Sequence, residues 1–299
     1  MGPPAVGPCS RALVATRGKV RVVTTLADQQ REMWNAAAAG WIRADEHIER
    51  SLGPVARWLC DAAELRPGMR VLDIACGPGE PAMTAAARVM PGGSVTAIDL
   101  APDMVAATQR RASQLGLPVT AQIMDAEHLA FDDGAFDAVT CRFGLMFCGS
   151  PAHAARGIRS VLRRGGRFVT SAWDGPERSP FFRELRAAVA RFMPVPPPVP
   201  DTPSAFRFAA PGALARVLTD GGFGEVHVEE LPVAFRFHSP EEYWDLQREM
   251  SNTLRTALTE LAPAQVEALR DDLLALAARY TTDGEVQIPA TALVAFGHH

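Results

Sequence analysis

The chain has 299 residues, 47% of them hydrophobic, with 30 basic against 34 acidic side chains and a net charge of −4. That is enough apolar content for a sizeable core, and the length suits one α/β domain with an appended cap. The slightly acidic balance argues against a partner dominated by phosphate backbone, and no apolar run reaches the ~18 residues that a membrane span needs.

Residues 1–25, interrupted by Gly and Pro and lacking a signal-type apolar core, are expected to be a disordered lead, and residues 26–64 an N-terminal helical cap. Short apolar runs then alternate with helical patterns. Strands are predicted at 70–75, 94–99, 119–124, 136–141 and 166–173, and helices at 80–90, 102–115 and 152–163. Such alternation means βαβ units and a parallel sheet. The rhythm breaks at residues 194–204, whose six prolines demand an extended connector. A helix at 211–220 stops at Gly221-Gly222, and strands are predicted at 225–230 and 286–296. Residues 239–281 read as two helices, the second with an apolar stripe of Val266, Leu269, Leu273, Leu276 and Tyr280. The core thus spans 65–175, with 209–235 and 285–299 completing its sheet. Residues 176–208 and 236–284 are insertions, expected to form a lid that supplies the substrate pocket. Cys9, Cys60, Cys76, Cys141 and Cys148 show no C-x-x-C pair or metal-ligand spacing, so free thiols in a reducing cytoplasm and no metal are expected. No chemistry is placed on the terminal His298 and His299.

The stretch VLDIACGPGEPAMTAAARV, residues 71–89, carries most of the functional information. An apolar run meets a Gly-Pro-Gly turn and an Ala-rich helix, a corner that lets a ligand approach bare backbone. Gly77-Pro78-Gly79-Glu80-Pro81-Ala82 formally satisfies the dinucleotide pattern G-x-G-x-x-G/A, and Asp99 follows at about the required distance of ~20 residues. Yet Asp73 and Glu80 would both face the anion, and Pro81 removes an N–H donor. A phosphate loop is excluded because no Gly-Lys-Ser/Thr follows. The fitting ligand has adenosine at one end, no phosphate, and cationic character near Asp73, which is the profile of S-adenosylmethionine. Asp99 ends the second strand, where a carboxylate can accept from a ribose diol, with Leu100 and Met104 placed to pack on adenine. Asp125 ends the third strand and can accept from the adenine amino group. CRFGLMF ends the fourth, at the mouth where ligands of open α/β sheets collect.

VLDIACGPG, AIDLAPDM, IMDAEHLAFDDGAFDAVTCRFGLMF and VLRRGGRFVTSAW together resemble the class I S-adenosylmethionine-dependent methyltransferases over residues 30–175. The chain is most similar to the small-molecule group that includes the ubiquinone and menaquinone C-methyltransferases. The resemblance implies a Rossmann-like doubly wound α/β sheet of order 3-2-1-4-5-7-6 with the last strand antiparallel. It implies that Asp73, Gly77 and Gly79 hold the methionine moiety, Asp99 the ribose, and Asp125 with Ala126 the adenine, with Ala75, Pro78 and Met124 also among the cofactor-binding residues. Arg142 and Phe143 would take the methionyl side. MWNAAAAGW resembles the aromatic N-terminal helix of this group, whose Trp34 and Trp41 would close over the cofactor. The resemblance stops short of the substrate, because residues 176–285 carry no quinone-type signature.

Methyl transfer from a sulfonium needs alignment and exclusion of water, and a base only where the acceptor must lose a proton. His47, in the N-terminal cap, and Tyr243, at the start of the inserted helices, are the candidates for catalytic roles. Phe181, Phe182, Phe206, Phe208 and Phe235 are candidates for an apolar pocket. The expected function is methylation of O, N or C on a small, largely apolar metabolite in secondary metabolism. The expected protein is a cytoplasmic monomer or homodimer with no nucleic-acid or membrane partner. An RNA or protein methyltransferase and an NAD-binding oxidoreductase are the alternatives.

Overall fold

Seven apolar runs pair into one twisted sheet in a computed structural model that describes residues 13–16, 19–22, 25–197, 199 and 201–299. The strands are β1 (Arg70–Ile74), β2 (Ser94–Asp99), β3 (Val119–Ile123), β4 (Phe136–Arg142), β5 (Leu162–Trp173), β6 (Gly224–Phe237) and β7 (Glu285–His298). Their spatial order is β3-β2-β1-β4-β5-β7-β6, and β7 runs antiparallel to both of its neighbours, as expected. A two-residue strand, Thr281–Thr282, pairs with the start of β7. Most of the lead expected over 1–25 lies outside the described residues; Leu13–Thr16 and Lys19–Val22 pair there as antiparallel strands.

The ten helices of the described residues are α1 (Leu26–Arg43), α2 (Asp45–Ala62), α3 (Ala82–Val89), α4 (Pro102–Leu115), α5 (Pro151–Val161), α6 (Pro180–Ala190), α7 (Ala213–Asp220), α8 (Pro240–Met250), α9 (Asn252–Glu260) and α10 (Pro263–Arg279). The crossovers through α3 and α4 step one way from β1, while the crossover through α5 steps the other way from β4. Right-handed connection therefore puts α3 and α4 on one face and α5 on the opposite face. α2 packs beside α3, and α7 beside α5. Both sheet faces are thus covered, which is why Val71, Leu72, Val139, Phe168 and Val169 are fully buried. The chain moves outward in both directions from the neighbouring pair β1 and β4. That reversal opens a crevice beyond their carboxyl ends.

Three elements differ from the sequence expectation. The helix pair of 239–281 is three helices. Ser251 caps α9 by accepting from the Leu254 N–H at 3.2 Å, and Pro263 starts α10. β6 continues to Phe237, burying Val233, Phe235 and Phe237 in alternation; it tolerates Pro232 because it is an edge strand. β7 runs to His298, which pairs with Arg167 on one side and Gly224 on the other. In α10, Leu269, Leu273 and Leu276 are buried where the helix packs on α6 and α8.

Candidate active site

β1 ends at Ile74, and the chain turns away at once. Ala75 (φ 55°) and Gly77 (φ 53°) both adopt left-handed backbone, and so does Phe143 (φ 56°), directly after β4. Glycine takes that conformation freely; Ala and Phe do so at a cost that the surrounding packing must offset. Gly144 lets the two turns meet, since a Cβ there would lie 2.4 Å from the Ala75 Cβ and 2.9 Å from the Cys141 Sγ. All four residues border one cavity of about 550 Å³, which is ample for a small molecule and its cofactor.

The cavity has two chemically different ends. At the strand tips its wall holds Gly77, Glu80, Asp99, Asp125, Glu127 and Arg142. Beyond Phe143 the wall turns aromatic, with Trp173, Phe181, Phe182, Phe206 and Phe235. These rings interlock. Phe143 stacks on Trp173 with centroids 4.1 Å apart, Phe181 stacks on Phe235 at 3.6 Å, and Phe182 meets Trp173 edge-on at 5.0 Å. α1 covers the first end. Its Trp34 is wedged edge-on against Phe147 at 4.9 Å and Trp41 at 5.9 Å, and its indole N–H donates to Gln30 at 3.3 Å.

The acidic end is wired by backbone donors. Asp99 accepts from the Gly77 N–H at 3.0 Å and from the Ala101 N–H at 2.9 Å, tying the glycine turn to the start of α4. Burial pushes the Asp99 carboxyl above its ordinary value, against the pull of those backbone bonds. Asp125 accepts from the Glu127 N–H at 2.9 Å and contacts the His128 ring at 3.2 Å. Glu127 accepts from Gly149 at 2.6 Å and Ser150 at 2.8 Å, pinning the loop after β4. Arg142 donates to Glu49 of α2 at 2.7 Å, and its Nη1 is buried without a partner. Arg111 bridges Asp45 at 2.7 Å and Glu80 at 3.2 Å, holding α4, α2 and the turn together.

Trp34, Trp41, Ala75, Gly77, Pro78, Asp99, Leu100, Met104, Met124, Asp125, Ala126, Arg142 and Phe143 all line the cavity. Asp73 and Gly79 do not. Asp73 points into the sheet, where it is fully buried and accepts from the Thr140 hydroxyl at 2.6 Å, while its Oδ2 has no partner. Burial pushes its carboxyl up to about 7, opposed by the Thr140 hydroxyl and the Arg142 guanidinium. Gly79 faces Met83 and Arg111, which a Cβ would approach to 3.2 and 3.3 Å. The two candidates for catalytic roles also stand apart from the cavity. His47 is engaged by Arg50 at 3.0 Å and Glu242 at 3.3 Å. Tyr243 is buried edge-on to Phe181 and Phe237, and burial pushes its phenol well above the usual range. Phe208 is buried elsewhere. Sequence reasoning missed Gln30, Glu127, Gly144 and Phe147. Glu127, Gly144 and Phe147 lie in the stretches IMDAEHL and CRFGLMF that the sequence already places at strand ends, though none was singled out, and Gln30 shares a helical face with Trp34 and Trp41.

A family described as a methyltransferase domain matches residues 71–166. Nocamycin O-methyltransferase of Saccharothrix syringae is 35% identical over 235 residues, 74% of this chain and 82% of that protein. The chain belongs to the class I S-adenosylmethionine-dependent methyltransferases. Its cofactor is S-adenosylmethionine. The methyltransferase is also similar to demethylmenaquinone methyltransferase of Thermus thermophilus, 36% identical over 147 residues that make up 48% of this chain and 66% of that protein. Geranyl diphosphate C-methyltransferase of Streptomyces coelicolor A3(2), solved with S-adenosyl-L-homocysteine, shares the fold. It aligns at a TM-score of 0.55 and 17% identity, over 92% of this chain and 99% of that one. The dinucleotide reading of Gly77 to Ala82 is thereby set aside, and a methyltransferase corner takes its place.

Proposed function

We propose that this methyltransferase acts on an oxygen atom of an apolar, ring-bearing natural product. The observation that carries the reading is the two-ended cavity, with carboxylates and bare backbone at the strand tips and interlocked aromatic rings beyond them. The similarity to a natural-product O-methyltransferase along 74% of the chain supports oxygen as the acceptor.

The residues at the strand tips fit S-adenosylmethionine. Arg142 Nη1, a buried donor without a partner, matches the ligand's carboxylate. Ala75, Gly77 and Pro78 present backbone to its methionyl part, and Asp99 retains acceptor capacity for two ribose hydroxyls beyond its backbone bonds. Asp125 and Ala126 receive the adenine edge, Leu100, Met104 and Met124 its faces, and Trp34 and Trp41 close the opening. The cofactor supplies a methyl group bound to a cationic sulfur, which any aligned lone pair can attack. The chain's own work is alignment and exclusion of water, supplied by Phe143, Trp173 and the insertions that bring α6, α8 and the start of α9 to the cavity.

We place this activity in secondary metabolism, in the cytoplasm, in a monomer or homodimer that needs no nucleic acid or membrane. The buried free thiols of Cys60, Cys76 and Cys141 support a reducing compartment. Among the described residues no helix is long and apolar enough to cross a membrane. Calorimetric titration with S-adenosylhomocysteine and with NAD, followed by an acceptor screen read by S-adenosylhomocysteine release, tests the function. Binding of NAD in preference to S-adenosylhomocysteine, or turnover of amines and carbon acids but no oxygen acceptors, refutes it.

A further inference from the structure

The aromatic end of the cavity has a charge pattern that the proposed function leaves unexplained. Its wall is built from α6, parts of the 196–206 connector, β5, β6, α8 and the start of α9, and among the described residues it contains no carboxylate and no histidine. Cys148, which also borders the cavity, is held as a neutral thiol, because burial and then the nearby Cys141 and Glu127 push it well above its ordinary value. Its one cation among the described residues is Arg186 of α6, which donates through Nη2 to the Pro196 carbonyl at 2.8 Å. Among the described residues no carboxylate lies within ion-pair distance of Arg186. The same wall carries Gln247 of α8, only 4% exposed, with its Nε2 buried and unpartnered. Ser251 is already committed as the cap of α9, and the Asn252 carbonyl oxygen accepts from Arg255 at 2.6 Å. Among the described residues Arg186 is therefore the one full charge at this end, set in an otherwise apolar and neutral wall with Gln247 as an additional unpartnered donor.

We infer that the acceptor is an oxygen anion before methyl transfer, a carboxylate or an acidic enol, recognised by Arg186 with Gln247. This rests on the proposed function and names the chemical class of its substrate. An alcohol acceptor needs a base to take its proton, and this end of the cavity has none to offer. An ionised oxygen needs none. Its lone pair forms the new O–C bond as the S–C bond breaks toward sulfur, the negative and positive charges cancel, and no proton is left over. A half-buried cation in an apolar wall selects such an anion over its neutral analogue, because only the anion can form a charge-assisted pair with it.

The test uses the full chain saturated with S-adenosylhomocysteine, titrated calorimetrically with 2-naphthoate and with 2-naphthamide, two probes of the same shape. The carboxylate should bind about tenfold or more tightly, although the neutral amide is the more apolar of the two. Arg186→Gln should abolish that preference, and Arg186→Lys should retain part of it, with S-adenosylhomocysteine affinity reporting that each variant is folded. Equal binding of the two probes, absence of naphthoate binding at millimolar concentration, or a preference that survives in Arg186→Gln overturns the inference. The wild-type comparison decides even if both variants fail to fold. Failure to bind S-adenosylhomocysteine at all would instead defeat the cofactor site on which the inference stands.

Discussion

Asp99→Ala separates two jobs that the structure gives to one carboxylate. Its oxygens accept from the Gly77 and Ala101 N–H groups at 3.0 and 2.9 Å, and the same group lines the cavity beneath the proposed ribose position. Removing it strands two backbone donors. Each such loss costs roughly 1–3 kcal/mol when the donor stays buried, but here the cavity admits water to the gap, so about 2 kcal/mol in total is expected. For a chain of this size that lowers Tm by roughly 3 °C. The ligand loses two charge-assisted bonds at roughly 1.5–3 kcal/mol each. Even the lower figure, about 3 kcal/mol in all, weakens S-adenosylhomocysteine binding by about 100-fold. Asp99→Asn keeps the shape and one good acceptor and should fall between, near tenfold. Calorimetry and thermal unfolding on the same preparations read both effects. If Tm falls as stated while the affinity of Asp99→Ala stays within about threefold of wild type, Asp99 only props the turn and the ribose assignment is wrong.

Asp73→Asn should change how stability depends on pH. With its carboxyl at about 7 in the folded chain and about 3.9 when unfolded, the folded state holds the extra proton between those values. The contribution of this group to wild-type stability therefore falls as pH rises from 4 to 7 and is flat above, a total of about 4 kcal/mol at 1.36 kcal/mol per unit. The difference between wild type and Asp73→Asn, measured by denaturant unfolding across that range, should carry this slope; a constant difference refutes it. Gly144→Ala forces its Cβ against Ala75 and Cys141 and should cost about 1–3 kcal/mol together with loss of cofactor affinity, so wild-type stability and binding would show that the two turns are not tightly joined. Tyr243→Phe removes a buried hydroxyl that has no partner, and should leave stability unchanged or raise it by up to about 1 kcal/mol; a loss of 2 kcal/mol or more in urea unfolding would reveal a partner for that hydroxyl.

The strands of the core, the glycine turn and the row of acidic residues at successive strand ends were legible from sequence because each is a local pattern. Apolar runs, a Gly-Pro-Gly punctuation and a carboxylate just after the last apolar residue need no knowledge of what lies across the fold. Asp99 and Asp125 therefore fall where the pattern puts them. The facing of Asp73 was not legible. In a parallel sheet covered on both sides, alternation does not separate a buried face from an exposed one, and only the pairing of β1 with β4 turns Asp73 toward Thr140. The division at Ser251 was written in the sequence, but it competes with a helical pattern that continues through it. The aromatic end of the cavity belongs wholly to tertiary structure. Trp173, Phe181, Phe206 and Phe235 come from four separate segments, and a phenylalanine in any of them reads the same whether it fills a core or faces a ligand. Contact across distant segments depends on how the insertions fold over the sheet. That arrangement is set by packing energy summed over the whole chain.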